Sequence, residues 1–370
     1  MQNGGAIRVL MLLDYLNISG TKSYVKGLAD YFIPLGIHVV VAGKDGSYSK
    51  VLERAGCTVY SVDFSGNAKG IKAKLIDIIT REKITIIHAH SPRAGASAAE
   101  IAPMLGIPLV GTFHGTYYNK KKMLKIAEAS SAIISVSPAV KAYWKKLGVQ
   151  SLYIPLTINL EEFRFLKKTI IRRQLGIQDN ASVVLYAARQ EGKKAAISLD
   201  VMLACRMLRM TEGFGRLQCV IAGDGRRLPA VKRKAKEYNA ENGKAYIHVI
   251  GGHYDMPALF SSSTVVIGTG LSALEAMACE KPLIAAGIQG FIGVVDQNNF
   301  EMSWNNGFGD HQFDRLPPLH PERLAASLKG VLSSQKKRKK LGKEGWQIVK
   351  SHFDRTVNNR IIELYESLIQ

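Results

Sequence analysis

The sequence predicts an α/β protein of two domains, each a largely parallel sheet flanked by helices. Three observations lead there. At 370 residues the chain is too long for one typical domain and suits two. Short β-branched apolar runs alternate with helix-length amphipathic stretches along most of it. The alternation pauses near residue 155 and then begins again, so the second half restarts the plan of the first. Hydrophobic residues at 46% and charged residues at 22% describe an ordinary globular composition.

The first half opens with a strand over Ile7–Leu13, the loop DYLNISGTKS, a helix from about Ser23 to Leu35 and a strand over His38–Val41. Strands of such uniform apolarity suit a sheet buried on both faces. Further strands are expected at Thr58–Val62, Ile84–His88, Pro108–Thr112 and Ile133–Val136, with helices between them. No G-x-G-x-x-G follows the first strand, which argues against a dinucleotide dehydrogenase. Gly20-Thr-Lys-Ser23 lacks the upstream glycine and the adjacent Gly-Lys of an NTPase phosphate loop. His90 and His114 each fall just past a strand's carboxyl end, the edge where open parallel sheets hold ligands. A histidine there either serves a site or satisfies polar groups of the core. Ser137-Pro138 starts a helix whose free amides suit an anion.

The second half reads as strand Val183–Ala187, the loop AARQEGKK, a helix from about Ala195 to Leu208, strand Leu217–Ile221, AGDG, a basic helix near Leu228–Asn239 and strand Ile247–Ile250. Arg189 and Lys194 follow a strand's carboxyl end, where a guanidinium and an ammonium can stabilise charge growing on a departing diphosphate; Lys193 competes with Lys194 for the second role. Gly223 and Gly225 form a G-x-G turn that permits close backbone approach. TVVIGTGLSALEAMACEKPLIAA, Thr264 to Ala286, follows as strand, glycine turn, helix from Ser272, and strand. The amides of Gly270, Leu271 and Ser272 would meet an anion at the positive end of the helix dipole. Glu275 either closes a capping box with Ser272 or receives ligand hydroxyls. Gly290 to Phe313 is polar and glycine-punctuated and suggests no chemistry. HPERLAASLKGVLSS then reads as a helix, KKRKKLGKEGWQIVKSHFD as a basic helical pair, and TVNNRIIELYESLIQ as a final amphipathic helix.

The run G-x-S-A-L-E-A-M-A-x-x-K-P-L-I-A resembles the nucleotide-sugar signature of glycosyltransferase family 4 (group 1), a retaining group with the GT-B fold. The resemblance implies two Rossmann-like domains facing a central cleft: residues 1–155 for the acceptor, 156–350 for the donor, and 351–370 as a helix crossing back to the first domain. It implies Glu275 on ribose and Arg189 and Lys194 on the phosphates. Gly268, Thr269, Gly270, Leu271 and Ser272 would offer backbone contacts to the donor, joined by Gly223. Gly20 matches one of the paired glycines usual near the donor phosphates, Ser19 replacing the other, and the TFHG context of His114 resembles the motif whose histidine faces the reacting sugar. Two departures stand out. Leu156 and Thr157 replace the usual Asn-Gly of the interdomain linker, and Ile267 occupies the place of the first of two family glutamates, which approaches the donor sugar.

The expected activity is therefore retaining transfer of a hexose-like sugar from a nucleotide-diphosphate sugar, UDP-linked by preference, to a glycan, lipid or cell-envelope precursor. No cofactor is expected, and no metal, since no Asp-x-Asp cluster occurs. The alternative is a degenerate GT-B protein that binds a sugar nucleotide or a partner without turnover. The 50 Lys and Arg against 30 Asp and Glu give a formal charge of +20, which favours polyanionic partners. Lys120, Lys121, Lys122 and Lys125 follow Tyr117 and Tyr118, a combination suited to an anionic membrane surface or to a polyanionic acceptor. No nucleic-acid recognition motif accompanies the charge. Four scattered cysteines, no leader and no membrane-length apolar run point to a cytoplasmic protein, peripheral at the inner face of the membrane.

Overall fold

The computed structural model describes residues 6–253 and 255–369. The chain divides into two compact units, one running up to Thr157 and resuming at Arg355, the other spanning Ile158–Asp354.

The first unit carries β1 (Arg8–Tyr15), α1 (Gly20–Phe32), β2 (His38–Lys44), α2 (Ser49–Arg54), β3 (Thr58–Ser61), α3 (Ala68–Arg81), β4 (Ile86–Ala89), α4 (Pro92–Leu105), β5 (Leu109–Phe113), α5 (Lys120–Ala129), β6 (Ala132–Ser135), α6 (Pro138–Lys145) and β7 (Leu152–Tyr153). Its sheet is parallel throughout, in the order β3-β2-β1-β4-β5-β6-β7. The two-residue period of a strand sends Val9, Met11 and Leu13 into one core and Leu10 and Leu12 into the other. This is why β1 is apolar without alternation. Helix α1 begins three residues before the expected Ser23, and Pro34, which has no amide proton to donate, marks the change from α-helix to a 3-10 turn over Ile33–Leu35.

The second unit carries α7 (Ile171–Gln174), β8 (Val183–Ala187), α8 (Gly192–Arg209), β9 (Gln218–Ala222), α9 (Leu228–Asn242), β10 (Ile247–Gly251), α10 (Met256–Ser262), β11 (Val265–Gly268), α11 (Gly270–Ala278), β12 (Leu283–Gly287), β13 (Gly290–Val294), α12 (Phe300–Asn305), α13 (Pro321–Leu332) and α14 (Gln335–His352). The sheet order is β10-β9-β8-β11-β12-β13, parallel except for the β12–β13 hairpin. Strand β13 is hard to see in sequence because Gly290 and Gly293 interrupt its apolar pattern. Two further expectations are corrected. The basic helical pair is one continuous helix, α14, in which Gly342 is a contact point rather than a break: a Cβ there would lie 2.1 Å from the Glu280 carbonyl oxygen. Helix α8 begins at Gly192, so Lys193 and Lys194 lie in its first turn rather than in a loop.

The last helix, α15 (Asn359–Ile369), belongs to the first unit and buries Ile361 and Tyr365 completely in the core beneath β1 and β2.

Candidate functional site

In the second sheet, β9 and β10 add outward on one side of β8, whereas β11 lies on its other side. The loops leaving β8 and β11 therefore run in opposite directions and open a crevice at the carboxyl edge, the position where open α/β sheets bind ligands. The loop after β8 carries Arg189, and Thr269 alone links β11 to Gly270 at the start of α11.

The side chains gathered there form a charged cluster. Lys194 Nζ donates to Thr269 Oγ1 at 3.2 Å and to Asp310 Oδ2 at 2.5 Å. Thr269 Oγ1 donates to the same carboxylate oxygen at 2.8 Å. Arg189 is exposed and its side chain makes no hydrogen bond or ion pair among the described residues, so its guanidinium is free for an anion. Helix α11 starts at Gly270, two residues before the expected Ser272, with Thr269 as its N-cap in extended conformation. The amides of Gly270, Leu271 and Ser272 thus occupy the first turn, where a helix offers them no acceptor of its own. Gly270 adopts φ 53°, which a side chain would oppose.

The start of α11 also removes the capping-box reading of Glu275. Ser272 is already inside the helix, and its hydroxyl donates to the Thr269 carbonyl at 2.9 Å, so the capping box does not form. Glu275 is 7% exposed, and its side-chain carboxyl accepts no hydrogen bond from the described residues. Burial, reinforced by Glu162, pushes its carboxyl up to about 8. A buried carboxyl without a donor is costly to keep, which marks Glu275 as a candidate functional residue.

Gly223 and Gly225 adopt φ 130° and 157°, and the close approach they permit is to protein. A Cβ would lie 2.0 Å from the Ala188 carbonyl oxygen at Gly223 and 2.4 Å from that of Gln190 at Gly225. Their loop packs on the one that holds Arg189, with Gln190 N donating to Asp224 O and Arg227 N to Gln190 O, both at 2.9 Å. Gly268 closes β11 beside Ser272. Ile267, which departs from the family's acidic pattern, is fully buried in the core.

In the first unit the same topological break falls between β1 and β4. Gly20 opens α1 after β1, with open space where a Cβ would stand, and His90 follows β4. Just past β5, His114 Nε2 lies 3.3 Å from His90 Nδ1, and the Tyr24 ring packs edge-on against both imidazoles. His88, next in the cluster, contacts Thr112 Oγ1 through Nε2 at 2.6 Å and the Tyr365 hydroxyl through Nδ1 at 2.5 Å. Burial holds all three imidazoles in the neutral form, with His88 and His114 pushed down to about 3 and His90 well below its ordinary value. His90 Nε2 and the Tyr24 hydroxyl are buried without a partner among the described residues.

The lysines after Tyr118 lie on α5. Lys120, Lys121 and Lys122 fill its first turn, where the helix dipole is already positive, and Lys125 pairs with Glu100 at 2.5 Å. Tyr117 is 61% exposed. No helix among the described residues is long and apolar enough to cross a membrane, and none of their His, Cys, Asp and Glu residues form a group of three or more able to hold a metal.

Asp310, His88, Tyr24 and Tyr365 were not legible as site residues in the sequence. Only His88-Ala-His90 carried a signal, since two histidines two apart on a strand share a face.

Two parallel-dominated sheets, each broken at such a switch point, define the GT-B class of glycosyltransferase folds. Residues 18–162 match the Glycosyltransferase Family 4 profile and residues 167–347 the Glycosyl transferases group 1 profile, so the chain belongs to the family 4, group 1 glycosyltransferases. The crystal structure of Anabaena HepE in complex with UDP-glucose superposes with a TM-score of 0.78 at 19% identity, over 98% of this chain and 100% of that one. The uncharacterized glycosyltransferase YqgM of Bacillus subtilis is 24% identical over 315 residues, 78% of this chain and 79% of its own. A lipid-A-disaccharide synthase of Hydrogenovibrio crunogenus is 25% identical over 177 residues, 46% of this chain; the match spans less than half of that protein, 44%.

Proposed function

We propose that the chain transfers a sugar, with retention of configuration and without a metal, from a nucleotide-diphosphate sugar to a lipid-linked or cell-envelope acceptor. The observation that carries this reading is the buried, donorless carboxyl of Glu275 one turn along the helix whose first amides lie beside Lys194. A nucleoside diphosphate supplies what the cluster lacks. Its ribose hydroxyls donate to Glu275, and its phosphates take the amides of Gly270 to Ser272 together with Arg189 and Lys194.

The residues then act by electrostatics. As the bond between sugar and diphosphate breaks, negative charge grows on the leaving oxygen, and Arg189, Lys194 and the α11 amides lower the energy of that charge. Neutral His114 is suited to accepting or donating a hydrogen bond at a sugar hydroxyl, not to acting as a cation. UDP is the nucleotide we favour, because HepE was crystallised with UDP-glucose. The acceptor class rests on the lipid-A-disaccharide synthase likeness and on the cations at the start of α5. The burial of Ile267 supports a second reading, a protein that binds the sugar nucleotide without turning it over.

Incubation with UDP-glucose, UDP-galactose and UDP-N-acetylglucosamine and a bacterial lipid extract, with and without EDTA, tests the proposal. Release of UDP that depends on the lipid and survives EDTA is expected, and the product's anomeric configuration by NMR should match that of the donor. Binding of a sugar nucleotide with no UDP release would favour the second reading.

A further inference from the structure

The loop that brings Asp310 to Lys194 is held in a conformation that a chain does not adopt by default. Gly307, Phe308 and Gly309 take φ of 58°, 56° and 96°, three consecutive left-handed residues, and Phe308 is both non-glycine and fully buried. Such backbone persists only where its surroundings over-determine it, and it concentrates at functional positions.

Those surroundings are explicit. Asn306, fully buried, donates through Nδ2 to Met302 O at 2.9 Å and to Asp314 Oδ2 at 2.8 Å, and its Oδ1 accepts from the amides of Phe313 at 3.1 Å and Asp314 at 2.8 Å. Gly309 packs on Gly287 so closely that a Cβ on Gly287 would lie 2.2 Å from its carbonyl carbon, and Gln289 N donates to Gly309 O at 2.8 Å. Asp310 is therefore fixed by backbone, on a segment that the other elements of the crevice do not supply. Its two oxygens are used unequally. Oδ2 takes both Lys194 and Thr269, whereas among the described residues Oδ1 has only the Ile288 amide at the long distance of 3.4 Å. A carboxylate oxygen accepts about two hydrogen bonds, so Oδ1 has capacity left.

We propose that Asp310 is a sugar-specificity residue, its Oδ1 accepting a hydroxyl of the donor's sugar ring while Oδ2 keeps Lys194 aimed at the diphosphate. This rests on the nucleotide-sugar reading of the site. The ligand class is a hydroxyl-bearing pyranose attached to a nucleoside diphosphate. A carboxylate that holds a cation and a hydroxyl together distinguishes a nucleotide sugar from the free nucleotide, which offers it no sugar hydroxyl. Ile267 presents no carboxylate to this crevice, so Asp310 provides the acidic contact from another strand connection.

Isothermal titration of wild type, Asp310→Asn and Asp310→Glu tests the assignment. The probes are UDP and whichever of UDP-glucose, UDP-galactose and UDP-N-acetylglucosamine the wild type binds most tightly. Asp310→Asn should weaken UDP to the extent that Lys194 loses its anchor, and should weaken the UDP-sugar about tenfold or more beyond that, the size of a lost charge-assisted hydrogen bond. Asp310→Glu, which keeps the charge, should recover part of the loss. Equal weakening of both ligands would mean that Asp310 serves Lys194 alone, and no change in either would mean that it serves neither; both results overturn the proposal. Failure of wild type to bind UDP or any of the three sugars would instead remove the nucleotide reading on which it stands. Should Asp310→Asn fail to fold, the same comparison on Asp310→Glu decides, because a displaced carboxylate must still change UDP-sugar affinity more than UDP affinity.

Discussion

The Tyr365 hydroxyl meets His88 Nδ1 at 2.5 Å, tying the last helix of the chain to the carboxyl end of β4 inside the first unit's core. His88 spends its other nitrogen on Thr112, so the imidazole is satisfied on both sides and fixes the residues through which β4 and β5 present His90 and His114. Tyr365→Phe removes one oxygen and leaves a buried ring nitrogen without a partner. The expected cost is about 1–3 kcal/mol, read as a lower denaturation midpoint with unchanged m-value. An unchanged midpoint would show that His88 does not need the tyrosine.

Glu275 makes stability depend on pH in an unusual sense. Its carboxyl is held protonated up to about 8, against an ordinary value of 4.5, so the native state binds a proton that the unfolded chain has lost. This stabilisation is complete below the ordinary value and declines as pH rises through the window to about 8. Glu275→Gln, which mimics the protonated form, should flatten the fall in melting temperature between pH 5 and pH 8.5. It should also reduce discrimination between UDP and 2′-deoxy-UDP if the carboxyl receives ribose hydroxyls.

The histidine cluster acts on the acid side. His88 and His114 are pushed down to about 3, so the unfolded chain takes up protons below 6.5 that the native state refuses. Stability is full above the ordinary histidine value and is lost as pH falls toward 3, with a slope approaching about 1.4 kcal/mol per pH unit for each histidine. His114→Asn should reduce the drop in melting temperature between pH 7 and pH 4.5. An equally steep drop would show that His114 titrates normally.

Placing Lys120, Lys121 and Lys122 at the positive end of α5 costs helix stability, so replacing all three by glutamine should not lower the melting temperature. If the face meets an anionic lipid surface, wild type should pellet with anionic vesicles at low salt and not at high salt, and the triple variant at neither. Pelleting of wild type that ignores salt would contradict the electrostatic account.

The fold was legible because both sheets are parallel apart from the β12–β13 hairpin: strands buried on two faces read as plain apolar runs, and the helices between them keep their period. The places of Arg189 and Lys194 just after β8, and of Glu275 on the helix after β11, were legible because position relative to a strand end is a local property. Asp310 was not. It reaches Lys194 across 116 residues, from a segment whose glycines signal only a turn, and what makes it informative is the left-handed backbone at Phe308 and the buried Asn306, neither of which a linear pattern displays. His88 and Tyr365, 277 residues apart, were hidden for the same reason. The expected start of α11 at Ser272 was late because a glycine turn and the first turn of a helix look alike in sequence when Gly270 belongs to both.

The central claim is that the crevice between β8 and β11 holds a nucleoside diphosphate, and Arg189 gives the cleanest access to it. Its side chain is exposed and unpaired among the described residues, so Arg189→Ala should leave stability within about 0.5 kcal/mol of wild type, whereas Lys194→Ala would strand Asp310. A thermal-shift titration of wild type and Arg189→Ala with UDP is the most direct measurement. At a hundredfold its dissociation constant UDP adds about 2.7 kcal/mol, a rise of several degrees. The account predicts that rise for wild type and a titration displaced about tenfold or more to higher UDP for the variant. Identical curves for the two proteins, or no rise in wild type, would contradict it.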